Sequence, residues 1–355
     1  MLFDVGYIQS AMILYDNKKR DIFSYRNGVI YQNDAEVCCI LSSGLKRLFS
    51  RFRLLNRLFR LDPRCATFLD EDRMILAFQH QVMVVDISEK RVLEYIPMRP
   101  SFSNPLCFCS MKRYGLEEVY WGDYGENMDG KEINIYKFTK GGLNTCYTFP
   151  EKSIKHVHNI IYDKWRDRFI VLTGDFGDKV GIYTATRDFK SVEPFLIGNE
   201  KYRAVQAVVT GEGLIWATDA VMSDNHLYYC SFDNKDVKEL ASLNGSVIYG
   251  LPVNRGLLFS TTVEPYPTGG SLLKAIFNNR LAPGIKSRNV DIGFCSEKKE
   301  LTILKSFRKD WLPISLFQYG QIMFPGYDNE ELEEVVVNPM SVKNYDGKSL
   351  TISLN

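Results

Sequence analysis

The chain contains no apolar run approaching the ~18 residues that cross a bilayer. Its opening segment, "MLFDVGYIQSAMILYDNKKR", has no basic stretch followed by an apolar one, so no secretory signal is read there. A basic excess is also missing. With 44 Lys and Arg against 43 Asp and Glu, the formal net charge is +1, which argues against a nucleic-acid partner held by a general positive field. No C-x-x-C pair occurs among the eight cysteines, so zinc sites of the usual spacing are not expected. The thiols lie in apolar runs such as "EVCCIL" and "PLCFCSM", where they act as small hydrophobes. Scattered thiols of this kind suit a reducing compartment and a cytoplasmic location. Neither a G-x-x-x-x-G-K-[ST] loop nor a G-x-S-x-G elbow is present, so nucleotide or flavin cofactors are not expected. No Ser-, Gly- or Pro-rich linker interrupts residues 1–355, which read as one domain.

What the chain does contain is a repeat. Short runs rich in Val, Ile, Tyr and Phe alternate with turn residues, the pattern of an all-β protein. Each unit has an apolar strand, a tight polar turn, a second apolar strand, an acidic or polar residue and a third strand. Clear copies are "EVYWGDYGENMDGKEINIYKF", "HNIIYDKWRDRFIVLTGDFGDKVGIYTA", "RAVQAVVTGEGLIWATDAVMSDNHLYYC" and "VIYGLPVNRGLLFSTTVEPYPTGGSLLKA". A further copy, "CATFLDEDRMILAFQHQVMVVD", lacks the acid, and looser copies lie near the two ends. Spacings of about 40 to 60 residues are those of propeller blades. Seven hairpins predict a single seven-bladed β-propeller; six blades follow if the N- and C-terminal strands share one closing blade. Either way the terminal strands close the ring, which removes exposed sheet edges.

One segment breaks the pattern. In "GLKRLFSRFRLLNRLFRL", residues 44–61, Leu45, Leu48, Phe49, Phe52, Leu55 and Phe59 fall on a helical stripe. Lys46, Arg47, Arg51, Arg53, Arg57 and Arg60 supply charge with no acid among them. A basic amphipathic helix of this kind can rest on an anionic membrane surface. It can equally pack its stripe on the propeller with the Arg stems solvated.

Ring topology makes the repeat informative about chemistry. The first two strands of a blade form an antiparallel hairpin, so residues just before the first and just after the second share one rim. The acids after second strands are Asp123, Asp175, Asp219 and Glu264, with His80 in the related place of the copy that lacks one. At the starts of first strands lie His156, His158, Arg203 and Tyr249. Unlike titratable groups gathered in a concavity are the usual form of a polar ligand site, whereas an isolated Asp after a strand often only satisfies its turn. His156 and His158, two apart on a strand, project to one face and can share a divalent metal or act as proton carriers. Arg203 offers a fork of donors to a carboxylate, either that of an acidic sugar or that of a rim acid in an inter-blade salt bridge.

The run "HVHNIIYDKWRDRFIVLTGD", followed by "YRAVQAVV", "LIWATD", "NHLYY" and "TTVE", resembles bacterial sialidase-like (BNR/Asp-box-type) β-propellers, often encoded beside exopolysaccharide and capsule biosynthesis genes. The resemblance implies site positions at Asp123, Tyr124 and Asn127, at His156 and His158, and at Asp175, Arg203, Asp219, Asn225 and Glu264. Sialidases proper also carry an arginine triad, which this sequence does not reveal, and S-x-D-x-G-x-x-W turns are missing. Two functions follow as expectations. One is a glycosidase or lyase acting on a bacterial, acidic polysaccharide or precursor. It would use Asp123, Asp175, Asp219, Glu264, His156 and His158 for chemistry, and Tyr124, Asn127, Arg203, Asn225 and Tyr249 for binding. The other is a non-catalytic glycan-binding or scaffold propeller.

Overall fold

The computed structural model describes residues 7–8 (backbone only), 12–16, 21–174, 178–253, 255–267, 278, 280–327 and 331–354. Seven antiparallel sheets form a seven-bladed β-propeller. Blade 1 is built from Met12–Asp16, Ile22–Arg26, Val29–Gln32 and Ala35–Cys39, and Gly326–Tyr327 adds a strand parallel to Met12–Asp16. Blades 2 and 3 begin at Cys65–Phe68 and Cys109–Ser110, blade 4 at His156–Asp163, blade 5 at Ala204–Val209 and blade 6 at Val247–Val253. Blade 7 joins Gln321–Met323, Glu334–Met340 and Ser349–Ser353 to the N-terminal strand Tyr7–Ile8. Backbone pairing of Tyr7 with Leu350 and Ile8 with Ser349 closes the ring. The count is seven, as the hairpins predict, yet the two chain ends share the closing blade, a sharing expected only with six blades.

The apolar runs are explained by burial on both faces of each blade. In Arg168–Gly174, "RFIVLTG", Phe169 and Val171 pack with Tyr120, Ile133 and Ile135 of blade 3. Ile170 and Leu172, pointing the other way, pack with Ala207, Leu214 and Trp216 of blade 5. The same alternation sends Ile215 and Ala217 towards Leu257 and Phe259 of blade 6. Strands with two dry faces read as continuous hydrophobic runs. Trp121 and Trp216 are fully buried in these layers, and Trp216 Nε1 donates to Lys201 O at 2.7 Å. Neither is available to stack on a sugar.

The segment at residues 44–61 forms two short helices rather than one, α1 (Gly44–Ser50) and α2 (Arg53–Phe59). Ser43 caps α1 by accepting from Lys46 N, and α2 ends at Arg60 in the left-handed region (φ 50°, ψ 54°). The pair replaces the connection from the last strand of blade 1 to the first strand of blade 2. Its orientation reverses the packed alternative, in which the apolar stripe meets the propeller and the Arg stems are solvated. The face of α2 turned to the propeller carries Arg53, Asn56 and Arg57, while Leu54, Leu58 and Phe59 are exposed. Arg57, 1% exposed, pairs with Asp310 at 2.5 Å and Asp346 at 3.3 Å, and donates to Ser341 Oγ and Phe317 O. Arg53 bridges Asp62 and Asp346 at 2.8 and 2.9 Å. Two of the six cations read as a membrane-facing set are thus structural, because Asp62 just after α2 and two aspartates that the ring brings round lie beneath the helix.

Candidate functional site

Four inner strands share a local irregularity that aims side chains at the rim. The register slips between Ile13 and Tyr15, Val157 and Asn159, Ala204 and Gln206, and Val247 and Tyr249. Bulges of this sort re-aim residues beside sites. In blade 4 the displaced residue is His158.

A cavity of about 660 Å³ opens on this rim. It is lined by Tyr124, His156, His158, Arg203, Asp219, Tyr249 and Glu264, seven of the eleven residues anticipated from the sequence. Three others lie outside the lining. Asp123 accepts from Arg99 Nη1 at 2.7 Å, Asn134 N at 2.9 Å and Tyr136 OH at 3.1 Å. Asn127 is tied to Lys131 and to Lys155 O, and Asn225 to Thr218, Ala220 and Gly284. These side chains hold loops, the turn-satisfying role of polar residues after strands. Asp175 lies outside the described residues. His80 sits at a positive-φ turn (60°), its N–H donating to Asn104 Oδ1.

The paired imidazoles are held tightly. His156 Nδ1 faces Gly125 O at 2.5 Å, and His158 Nδ1 faces Ala204 O at 2.9 Å. A carbonyl only accepts, so each Nδ1 carries a hydrogen. The two Nε2 atoms then face each other at 2.9 Å, an arrangement that is favourable when one proton or a cation lies between them. Asp219 Oδ2 stands 3.9 Å from His158 Nε2 and also accepts from Arg203 Nη2 at 3.3 Å. The space in front of the pair exists because residue 174 is glycine: a Cβ there would sit 2.0 Å from His158 Nε2 and 2.2 Å from His156 Nε2. At zinc–nitrogen distances of ~2.0–2.1 Å, the Nε2 spacing corresponds to a ligand angle of about 90°. Among the described residues no group of three His, Cys, Asp or Glu is placed to hold a metal ion, so these donors fit a metal only as a two-nitrogen pair.

Charge around the cavity is uneven. Burial, reinforced by the charge of Asp219, pushes the Glu264 carboxyl up to about 7, and Thr262 Oγ1 donates to its Oε1 at 2.7 Å. Burial and the neighbouring Glu264 also push the Tyr319 phenol up. The rim adds cations that were not singled out as site residues. Arg60, which had been read only as a surface cation, and Arg64 both line the cavity, and both bear on the buried Tyr249 phenol. The Arg64 guanidinium lies 5.3 Å from the centre of the Tyr124 ring, which is 4.6 Å from the His156 ring. Among the described residues neither Arg60 nor Arg64 pairs with a carboxylate. Arg64 immediately precedes the first strand of blade 2, the same position as Arg203 in blade 5. Asking what precedes every first strand would have found it. Gln318 also lines the cavity. Its backbone (φ 70°, ψ 164°) is in a region essentially reserved for glycine, and its buried Oε1 has no hydrogen-bond partner among the described residues.

No family model matches the chain, and no curated protein does. Solved structures match along its whole length. The Cps50 (Swd1) propeller domain of Myceliophteria thermophila is 8% identical with a TM-score of 0.54, covering all of both chains. An oligogalacturonate lyase in complex with manganese is 9% identical with a TM-score of 0.55, over 100% of this chain and 96% of that one. The WD40 propeller domain of Doa1 is 10% identical with a TM-score of 0.55, over 99% and 95%. At these identities the likeness shows the fold, which is shared by a lyase and by WD40 propellers alike. Among the described residues no helix is long and apolar enough to cross a membrane.

Proposed function

We propose that the cavity binds a carboxylated saccharide and cleaves it by elimination beside the carboxylate. The observation that carries this reading is the placement of Arg60 and Arg64, cations unmatched by a protein carboxylate among the described residues, in the same cavity as the imidazole pair and Glu264. A guanidinium matches a carboxylate in shape and charge. Neutralising the sugar carboxylate acidifies the adjacent C–H bond. An imidazole Nε2 of the His156–His158 pair takes that proton, and the C–H electrons form the new C=C bond. The C–O bond to the next sugar breaks, and Glu264, protonated towards neutral pH, returns a proton to the leaving oxygen. Asp219 holds the positive charge that develops on His158, and Gln318 Oε1 is an acceptor for a sugar hydroxyl. The resemblance to sialidase-like propellers and the fold shared with an oligogalacturonate lyase point to the same substrate class, acidic sugars.

The test is incubation with oligogalacturonate and other uronic-acid oligosaccharides, following the ultraviolet absorbance of the unsaturated product. Arg64→Met should lower kcat/KM by roughly ten- to hundredfold, and His158→Ala should abolish turnover. Cleavage without the unsaturated product would make the reaction a hydrolysis by Glu264 and Asp219. Equal affinity for neutral sugars would end the acidic-substrate reading. Likeness to WD40 propellers favours one alternative, binding without turnover. Saturable saccharide binding that Arg64→Met weakens, with no product from any substrate, would select it.

A further inference from the structure

The exposed apolar side of the α1–α2 pair needs an explanation that the cavity chemistry does not supply. Leu45 is 60% exposed, Phe52 56% and Leu54 53%, and Leu48, Leu58 and Phe59 are also open. Elsewhere among the described residues exposed large apolar side chains are scattered; here six fall within residues 45–59. In α2 the usual amphipathic arrangement is turned inside out, with arginines against the protein and leucines against water. Such an arrangement is costly in water and sensible against an apolar phase. Trp311 is 85% exposed and directly follows Asp310, the residue that pairs with Arg57 of α2. Tryptophan prefers the membrane–water interface, where its ring is half apolar and half wet.

Charge selects the occupant. Lys46, Arg47 and Arg51 on and after α1 are exposed, and no acid occurs between Glu36 and Asp62 in a chain otherwise balanced in charge. Apolar residues interleaved with cations and Trp match an anionic lipid surface. We propose that the α1–α2 pair, together with Trp311, is an interfacial anchor that seats this rim of the propeller on an anionic bilayer. The rim is that of the cavity, since Arg60 ends α2 and Arg64, four residues on, lines the same opening. Docking therefore turns the mouth towards the lipid. If the saccharide reading of the cavity is right, its substrate is presented at the membrane surface.

The whole chain is tested by co-sedimentation with vesicles of phosphatidylcholine, with or without a minor fraction of phosphatidylglycerol. Wild type should pellet with the anionic vesicles and much less with the neutral ones. Lys46→Glu/Arg47→Glu/Arg51→Glu should weaken binding roughly a hundredfold. Phe52→Ser/Leu54→Ser/Leu58→Ser, or Trp311→Ser, should weaken it roughly tenfold or more. All three keep the inward contacts of Arg53 and Arg57, and circular dichroism and melting check that they fold. Failure of wild type to bind anionic vesicles overturns the proposal, as does binding that none of the variants changes. A dimer in light scattering that the apolar variants dissociate, without vesicle binding, assigns the face to a second copy instead. Saccharide affinity measured without vesicles should be unchanged in the variants, so loss of the anchor and failure of the cavity reading give different results.

Discussion

Glu264→Gln separates stability from chemistry at the cavity. In the folded protein the Glu264 carboxyl is pushed from its ordinary 4.5 up to about 7, first by burial and then by the charge of Asp219. The unfolded chain restores the ordinary value. Below pH 4.5 both states hold the proton and the group contributes no difference. Between 4.5 and 7 the folded state keeps a proton that the unfolded state releases, so stability falls as pH rises, and above 7 the whole penalty is present. At ~1.4 kcal/mol per pH unit, that penalty is about 3 kcal/mol. The Gln variant keeps an oxygen for the Thr262 hydroxyl and never ionises. Urea unfolding at pH 5 should give wild type and variant similar stabilities. At pH 8 the variant should be the more stable by about 2–3 kcal/mol, with groups common to both cancelling in the comparison. Asp219→Asn should shrink the difference by removing the second cause. A gap between Glu264→Gln and wild type that is the same at both pH values would refute the reasoning, because only a proton held in the fold makes it vary.

Two further substitutions probe particular contacts. Arg57→Ala removes one of the two cations on Asp310, which keeps Lys309 at 2.6 Å, together with the donors to Asp346, Ser341 and Phe317 O, so a loss of about 2–3 kcal/mol in urea unfolding is expected. Leu58→Ala, one residue away on the open face, should cost under about 0.5 kcal/mol, and comparable losses in the two would contradict the inverted orientation of α2. Gly174→Ala places a methyl in front of both Nε2 atoms. It should lower kcat/KM, or saccharide affinity if there is no turnover, by roughly a hundredfold, and an unchanged value would detach the imidazole pair from ligand handling.

The ring was readable because its signal is repeated. Strands such as Arg168–Gly174 and Gly213–Thr218 are dry on both faces, so their apolar runs survive without any knowledge of partners, and turn residues mark their ends. The rule that residues flanking a blade's first hairpin meet at one rim correctly brought His156, His158, Arg203, Asp219 and Glu264 together. It did not distinguish Asp219, which faces the cavity beside Arg203, from Asp123, whose oxygens are consumed by Arg99, Asn134 and Tyr136. Both follow a second strand, and what separates them is a partner, Arg99, that arrives from a connection after blade 2. Arg64 was missed for a related reason. It stands in a stretch dominated by the helical stripe, which drew attention to a surface role for the basic residues around it.

The helices show where periodicity stops being informative. A stripe of Leu and Phe opposite Arg and Asn specifies two faces, but it does not say which one meets the protein. Burial of the apolar face is the default because water is the usual alternative. Here the decision is taken by Asp310, in the connection to blade 7, and by Asp346, in the hairpin of that closing blade. They lie about 250 or more residues along the chain from α2. Once the ring closes, these carboxylates stand beneath α2, and the helix arginines complete an ion-pair cluster that Lys309 begins at Asp310. Arg53 and Arg57 turn inward, and the leucines have nowhere to go but out. An outward apolar face fixed by buried ion pairs cannot relax by rolling the helix over, since that would take both arginines from Asp346 and one of two cations from Asp310. The exposed patch is therefore a built feature of the closed ring, and its apolar character persists whether or not a lipid surface is present to cover it.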